Sequence, residues 1–380
     1  KIRVPKKLRV GVIFGGRSGE HEISIRSARA IVEAIDRRKF DVVPIAITKE
    51  GKWLAPAHSA QLLPEAVHEL LPSKTHSATG DVALLGDPSR KGLISLETNA
   101  HSVAGEKLDV VFPALHGPLG EDGTLQGLLE MADVPYVGCG VLASACGMDK
   151  VAMKSLFVQA GLPICKHIWF LRSQWRNDPA KVIRKVTKEL GLPCFVKPAN
   201  LGSSVGVSRA TDKKSLSKAI DLAAEYDRKI IVEEELIARE IECAVLGNDE
   251  PKASLPGEYV IIEESARFLD YTEKYSNTGN VKFVVPAPLS KTMTTQIQRM
   301  AIRAFQSIDG AGLARVDFFL PHNGSGLVIN ELNTMPGLTE VSGYPKMWEA
   351  SGLPFPKLLE ILIQLAFERH QEKSLTKTSR

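Results

Sequence analysis

Residues 313–320 read LARVDFFL, and residues 327–333 read LVINELN. In the first run Arg315 and Asp317 alternate with apolar residues, so they share one face of a strand. In the second, Glu331 and Asn333 alternate in the same way. Facing strand ends of this kind present two carboxylates, an amide oxygen and a guanidinium. Such oxygen donors suit a hard divalent cation, magnesium above all, which fills its shell with nucleotide phosphates. The arginine beside them would neutralise charge on a phosphoryl group. A plain surface salt bridge accounts less well for acids inside runs this apolar, where an unpaired charge is expensive. The turn NTMPGLT (333–339) follows, and its Gly337 allows close approach to the backbone.

Upstream, NLGSSVGV (200–207) lies between two expected strands. Gly202, Ser203, Ser204 and Gly206 offer amides and hydroxyls that can fold over phosphates, although Gly-Ser is also ordinary turn chemistry. Lys197 ends the strand before this loop and Lys150 opens an earlier helix, which puts point charges on both sides of it. The runs IVEEEL (231–236) and AREIE (238–242) read in two ways. One is a charged edge strand. The other is a strand-to-linker segment whose backbone meets an adenine edge, with Glu240 placed for ribose hydroxyls. The first strand gives only GGRSG in place of GxGxxG, and there is no GxxxxGK[ST], GxSxG or CxxC. The chemistry therefore rests on charge neutralisation and positioning of a nucleotide.

The start of the chain reads as an open, doubly wound α/β layer. LRVGVIF (8–14) is a buried parallel strand, followed by a helix from about 23 to 35, strands at 41–48 and 109–114, and a helix at 124–131. Residues 51–107 break every period and read as an elaboration of this layer. Then come helices at 149–160, 180–190 and 212–226 among strands at 164–170, CFVKPA, VGVSRA and KIIVEEEL, a small α+β lid on an antiparallel sheet. Beyond 239 strands alternate with a long helix (290–309) and a last helix near 357–368, with a polar tail, HQEKSLTKTSR, expected to fray. The divisions fall at 1–140, 141–236 and 237–380. For 380 residues, three domains is an ordinary number.

Forty-eight basic against 44 acidic residues leave a net charge of only +4, and aromatics are 6%. That is no nucleic-acid footprint and fits a site for small anions better. No apolar run approaches the ~18–20 residues of a membrane span. KIRVPKKLRV is basic without the apolar core of a signal peptide. The five cysteines (Cys139, Cys146, Cys165, Cys194, Cys243) are scattered, which suggests buried thiols in a reducing cytoplasm and no zinc site.

SGEHEISIRSA (18–28), HGPLGEDGTLQG (116–127), MDK (148–150), VKPANLGSSVGVS (196–208), ARVDFF (314–319) and NELNTMPGLTEVS (330–342) occur in that order. In order and spacing they resemble the D-alanine–D-alanine ligase family, ATP-grasp enzymes of bacterial cell-wall synthesis. The resemblance covers about residues 8–365. It implies an ATP-grasp fold: a Rossmann-like pre-ATP-grasp α/β domain, a central α+β lid and a C-terminal α+β domain. It also implies ATP, two magnesium ions (manganese as a substitute), two molecules of D-alanine, and a homodimer formed through the first domain.

Carried over by residue, the resemblance gives Lys150, Lys197 and Ser204 to the phosphates. Glu233, Glu234 and Leu236 would frame adenine and Glu240 the ribose. Asp317, Glu331 and Asn333 would ligate the metals, and Arg315 with the Gly337 amide would stabilise the tetrahedral intermediate. Glu22 would hold the first ammonium, in a trio with Ser203 and Tyr275. Ser342 would bind the second carboxylate, and His116 would lie near the substrates. ATP would convert one D-alanine to an acyl phosphate, which the amine of the other attacks. RFLDYTEKYSNTGN (267–280), with Lys274 and Tyr275 at its tip, resembles the loop that keeps water from this intermediate. Its EKY resembles that of the dipeptide-forming members, as against ligases that make D-alanyl-D-lactate. The alternatives are a D-alanine–D-lactate ligase, another ATP-grasp carboxylate–amine ligase, and a nucleotide-binding module without catalysis. The last would be expected to lack Arg315 or a metal ligand.

Overall fold

The computed structural model describes residues 7–72, 80–90, 92–96, 106–202, 205–261, 281–324 and 326–377. The first sheet forms around β1 (Leu8–Gly15), which is buried from Val10 to its end. α1 (His21–Ala34) carries the chain back to β2 (Phe40–Ile47), which runs parallel to β1 from Leu8↔Phe40 to Gly15↔Ile47. The helix packs through Ala28, Ile31 and Val32, one stripe of a 3.6-residue period. It starts two residues earlier than the apolar pattern indicates, a shift that matters at the site below.

The irregular stretch is not structureless. It holds α2 (Pro56–Gln61), a 3₁₀ turn (Glu65–Leu70), and an antiparallel sheet of β3 (Val82–Leu84), β4 (Gly92–Ser95) and β5 (Glu106–Lys107). Leu84 and Leu93 share a core with Ile13 and Ile45, so the small sheet is an annex of the large one. Strands this short leave no readable alternation. β6 (Val110–Pro113) then closes the parallel sheet in the order β2-β1-β6.

α3 (Thr124–Met131), α4 (Val141–Met148) and α5 (Lys150–Gln159) follow. Asp149 caps α5, accepting from the amides of Val151 and Ala152 at 3.0 Å. The next unit contains β7 (His167–Leu171), α6 (Arg172–Asn177), α7 (Pro179–Glu189), β8 (Cys194–Pro198), β9 (Ser208–Ala210), α8 (Lys213–Tyr226) and β10 (Lys229–Glu234). Its antiparallel order is β7-β10-β8-β9. β10 is therefore an interior strand, and the acidic run at its end is not an edge-strand device.

The last sheet, ordered β14-β13-β11-β15-β16 with β12 on β11, is built from β11 (Ala238–Gly247), β12 (Lys252–Ala253), β13 (Gly257–Ile261), β14 (Val281–Val284), β15 (Gly312–Pro321) and β16 (Val328–Asn333). β11 and β15 pair along their whole length. α9 (Lys291–Ser307) covers the sheet with Ile297, Ala301, Ala304 and Phe305. α10 (Gly343–Ala350) leads to α11 (Phe355–Ser374), whose Leu358, Leu362 and Ile363 join one core with Val10, Phe112 and Leu246. This helix ties the first sheet to the last.

The tail expected to fray at 370 stays helical to Ser374. Arg369 donates to the Gly138 carbonyl at 2.9 Å and lies over the Tyr136 ring, His370 meets Asp133, and Lys373 pairs with Glu130. These polar anchors carry no apolar signal, which is why the sequence pattern stops early. Among the described residues no single helix is long and apolar enough to cross a membrane.

Candidate active site

The antiparallel register of β15 and β16 sets Arg315 opposite Asn333 and Asp317 opposite Glu331. The polar residues gather on one face while Val316, Phe318 and Leu332 are buried beneath. A register shift after Asp317 breaks the ladder there. Arg315 grips Asp317 through two hydrogen bonds, Nε to Oδ1 at 2.7 Å and Nη2 to Oδ2 at 2.6 Å. Glu242 of β11, opposite Asp317 in register, brings Oε1 to 3.2 Å from Arg315 Nε. Arg315, Asp317 and Glu242 are all buried. Glu240, two residues earlier on β11, is half-buried.

Asn333 Oδ1 accepts from the Met335 amide at 2.9 Å, which shapes the turn. Among the described residues no group of three His, Cys, Asp or Glu side chains is arranged to hold a metal. Asp317, Glu331 and Asn333 are instead an all-oxygen set, in which the Glu331 side chain is 34% exposed. That fits a hard cation that completes its shell with phosphate oxygens, not a transition metal held wholly by side chains.

A second charged cluster forms where β10 lies between β7 and β8. Ile231 pairs with Lys197 and Glu233 with Phe195, so Lys197 and Glu233 emerge on the same side. Glu233 is buried between two ammonium groups, Lys197 Nζ at 2.6 Å from Oε2 and Lys154 Nζ at 2.9 Å from Oε1. Burial would raise its carboxyl, but the charges of Lys154 and Lys197 outweigh that and hold it well below the usual range. Lys197 is likewise held above its ordinary value, burial being outweighed by Glu233 and Glu331. Lys150 donates to the Leu201 carbonyl at 2.6 Å and stands 4.0 Å from Glu331 Oε2, so it bridges the two clusters. Burial pulls its ammonium down, against the opposing pull of Glu331. The Glu234 carboxylate accepts from the Lys166 amide at 2.8 Å, the Glu234 amide donates to the Lys166 carbonyl at 3.0 Å, and Leu236 is half-buried.

At the end of β1, His116 is buried, with Nε2 at 2.9 Å from Ser27 Oγ and Nδ1 at 3.2 Å from the Met335 carbonyl and 3.5 Å from Glu121 Oε1. Burial lowers this imidazole; Glu121 and Glu20 more than reverse it, so its proton affinity rises. Ser342 Oγ lies 2.7 Å from Thr339 Oγ1, and a side chain at Gly337 would stand 2.7 Å from the same hydroxyl. A side chain at 337 would therefore have to displace the Ser342 hydroxyl.

Glu22 does not face this region. It is exposed on the first turn of α1 and pairs with Lys49 at 3.0 Å. Glu20 turns inward instead. Its Oε2 would stand 2.7 Å from a Cβ added at Gly117 and 3.3 Å from one at Gly202, so it lies between the His-Gly turn and the Gly-Ser loop. The reason is the early helix start: with His21 as first residue, Glu22 points outward with Arg26 and Arg29 while Glu20 precedes the helix. Lys154, Glu121 and Glu242 also escaped sequence reasoning. Lys154 carried a usable signal, since it follows Lys150 by one helical turn. Ser203, Ser204, Lys274, Tyr275 and the loop 267–280 lie outside the described residues.

Two family models match this chain. D-ala D-ala ligase N-terminus covers residues 9–139, and D-ala D-ala ligase C-terminus covers residues 156–364. The chain belongs to the D-alanine–D-alanine ligase family. It is 49% identical over 375 residues to the D-alanine–D-alanine ligase of Heliobacterium modesticaldum, with 98% of each chain covered. It is 48% identical to that of Geobacillus thermodenitrificans, covering 97% of this chain and 98% of the relative. The Coxiella burnetii D-alanine–D-alanine ligase structure is 38% identical, with a TM-score of 0.81 over 97% of this chain and 96% of that one. The VanG D-Ala:D-Ser ligase structure from Enterococcus faecalis is 37% identical at a TM-score of 0.81, over 95% of this chain and all of that one. Full-length likeness at this level makes the chain a ligase of the ATP-grasp fold.

Proposed function

We propose that this chain joins two molecules of D-alanine at the expense of ATP, giving D-alanyl-D-alanine, ADP and phosphate for peptidoglycan synthesis in the cytoplasm. The observation that carries this reading is the pairing of a cationic bed at Lys150 and Lys197 with an acidic face at Asp317 and Glu331, only 4.0 Å apart at Lys150 and Glu331. Lys150, Lys197 and Ser204 bind the phosphates, the Glu233–Leu236 backbone frames adenine, and Glu240 receives the ribose. Asp317, Glu331 and Asn333 would hold magnesium, or manganese in its place, which would supply neutralisation of phosphate charge.

The first D-alanine places its ammonium against Glu20, in the part first given to Glu22, with Ser203 and Tyr275 alongside. Its carboxylate oxygen attacks the terminal phosphorus, the bond to ADP breaks, and an acyl phosphate forms. The second D-alanine sits with its carboxylate at Ser342 near His116. Its amine, once deprotonated, attacks the acyl carbon. Arg315 and the Gly337 amide face the oxyanion, and the tetrahedral carbon collapses with loss of phosphate. To Lys274, Tyr275 and the rest of 267–280 we assign the exclusion of water from the acyl phosphate. We assign three domains, 1–140, 141–236 and 237–380, and a homodimer through the first.

Incubation of the purified chain with Mg-ATP and D-alanine tests this by phosphate release and by mass detection of the product. The expected result is ATP-dependent D-alanyl-D-alanine, with L-alanine inert. Absence of the dipeptide overturns the proposal, and preference for D-lactate or D-serine as second substrate at neutral pH reassigns the acceptor.

A further inference from the structure

Three lysines surround the proposed phosphate bed, and one of them differs from the others. Lys154 is 1% exposed, deeper than any lysine whose ammonium reaches solvent along a packed stem. Its Nζ donates to the Asn330 carbonyl at 2.8 Å, meets Glu233 Oε1 at 2.9 Å and lies 3.6 Å from Cys165 Sγ. The ammonium thus makes two hydrogen bonds inside the protein and stands in ion-pair contact with a buried carboxylate. The thiol stays neutral, pushed up to about 11 by burial and by Glu233, so it does not compete for the cation. Lys197 is more open, with its side chain 14% exposed and Glu233 Oε2 at 2.6 Å.

A methionine would fill the space of Lys154 without desolvating a charge. The charge therefore needs a reason, and Glu233 supplies one. If Lys197 is drawn to a phosphate, a carboxylate paired with Lys197 alone would be stranded, buried and close to another anion. We propose that Lys154 is a positioning residue: a permanent counter-ion that keeps Glu233 fixed and charge-balanced when Lys197 turns to the nucleotide. By holding the Asn330 carbonyl, the same ammonium also ties the end of β10 to β16 immediately before Glu331. The inference rests on the ATP reading above and adds a residue that touches neither ATP nor metal.

The test is a cycle of Lys154→Met, Glu233→Gln and the double variant, read by calorimetric Mg-ATP binding and by steady-state kinetics. Lys154→Met should weaken Mg-ATP binding about 10- to 100-fold, since one of two partners of a buried charge is lost. KM for D-alanine should stay within about twofold, because the damage is confined to the nucleotide side. In the Glu233→Gln background the same substitution should cost less than about threefold, the charge it balances being gone. Equal losses in both backgrounds, or wild-type binding by Lys154→Met, overturn the inference while leaving the ATP reading intact. A wild-type chain with no affinity for Mg-ATP overturns both. Should Lys154→Met fail to fold, restoration of a cooperative melt and of Mg-ATP binding by Glu233→Gln supports the pairing, and failure to restore them overturns it.

Discussion

The two charged clusters are opposites in composition. On the β10 side, Lys150, Lys154 and Lys197 surround one carboxylate, Glu233. On the β15 side, Glu242 and Asp317 hold one guanidinium, Arg315, and Glu331 stands opposite Asp317 on β16. Each core pair offsets part of the desolvation cost, and the surplus sets what each cluster accepts. The surplus of cation suits an anion such as a phosphate chain, and the surplus of carboxylate suits a divalent cation. The devices differ: alternation along β11 and β15 gathers the acids with Arg315, whereas the lysines come from one turn of α5 (Lys150 and Lys154) and from β8 (Lys197). The contrast also separates permanent charges from working ones: the side chains of Lys154 and Glu242 are buried inside the protein, whereas those of Lys150, Lys197 and Glu331 are more exposed.

The most severe way to break this contrast is to neutralise the acidic face. Asp317→Asn or Glu331→Gln should cut D-alanine-dependent phosphate release by at least about 100-fold, the scale of losing a preorganised charge at a phosphoryl-transfer site. Circular dichroism and melting should show an intact fold; retained activity would remove that residue from the site. On the cationic side, Lys197→Met should raise the Mg-ATP dissociation constant about 10- to 100-fold, as lost phosphate pairing predicts. If both substitutions altered only magnesium dependence, or only ATP affinity, the division of labour would be wrong.

A smaller and sharper effect separates neighbours in sequence. Glu20→Gln should lower kcat/KM for D-alanine about 10-fold or more, the worth of a hydrogen bond to a charged group. Glu22→Gln should stay within about twofold, because an exposed pair such as Glu22–Lys49 contributes little. The opposite ranking would return the ammonium to Glu22. The smallest expected effect lies away from both clusters. Tyr344 donates to the Val245 carbonyl at 2.8 Å from a fully buried position. Tyr344→Phe should cost about 1–2 kcal/mol in denaturant melts and leave kcat unchanged.

Much of this was written in one dimension. The run LRVGVIF could only be a strand buried on both faces, and ARVDFF and VINELN could only present their polar residues together. Local sterics and period fixed those statements, and the helices at Lys213–Tyr226 and Lys291–Ser307 were legible for the same reason. Other features depended on partners distant in sequence. A two-residue shift in the start of α1 decided whether Glu20 or Glu22 faced inward. Packing against Tyr136 and Gly138 extended the last helix past its apolar pattern. The acidic end of β10 became interior only once β7 and β8 flanked it. The sequence by itself determined which residues share a face, because that follows from backbone geometry at each position. Which charges are buried together, and so which are structural and which are left to work, was decided by tertiary structure. The energy of a charge depends on neighbours that the chain brings together only by folding.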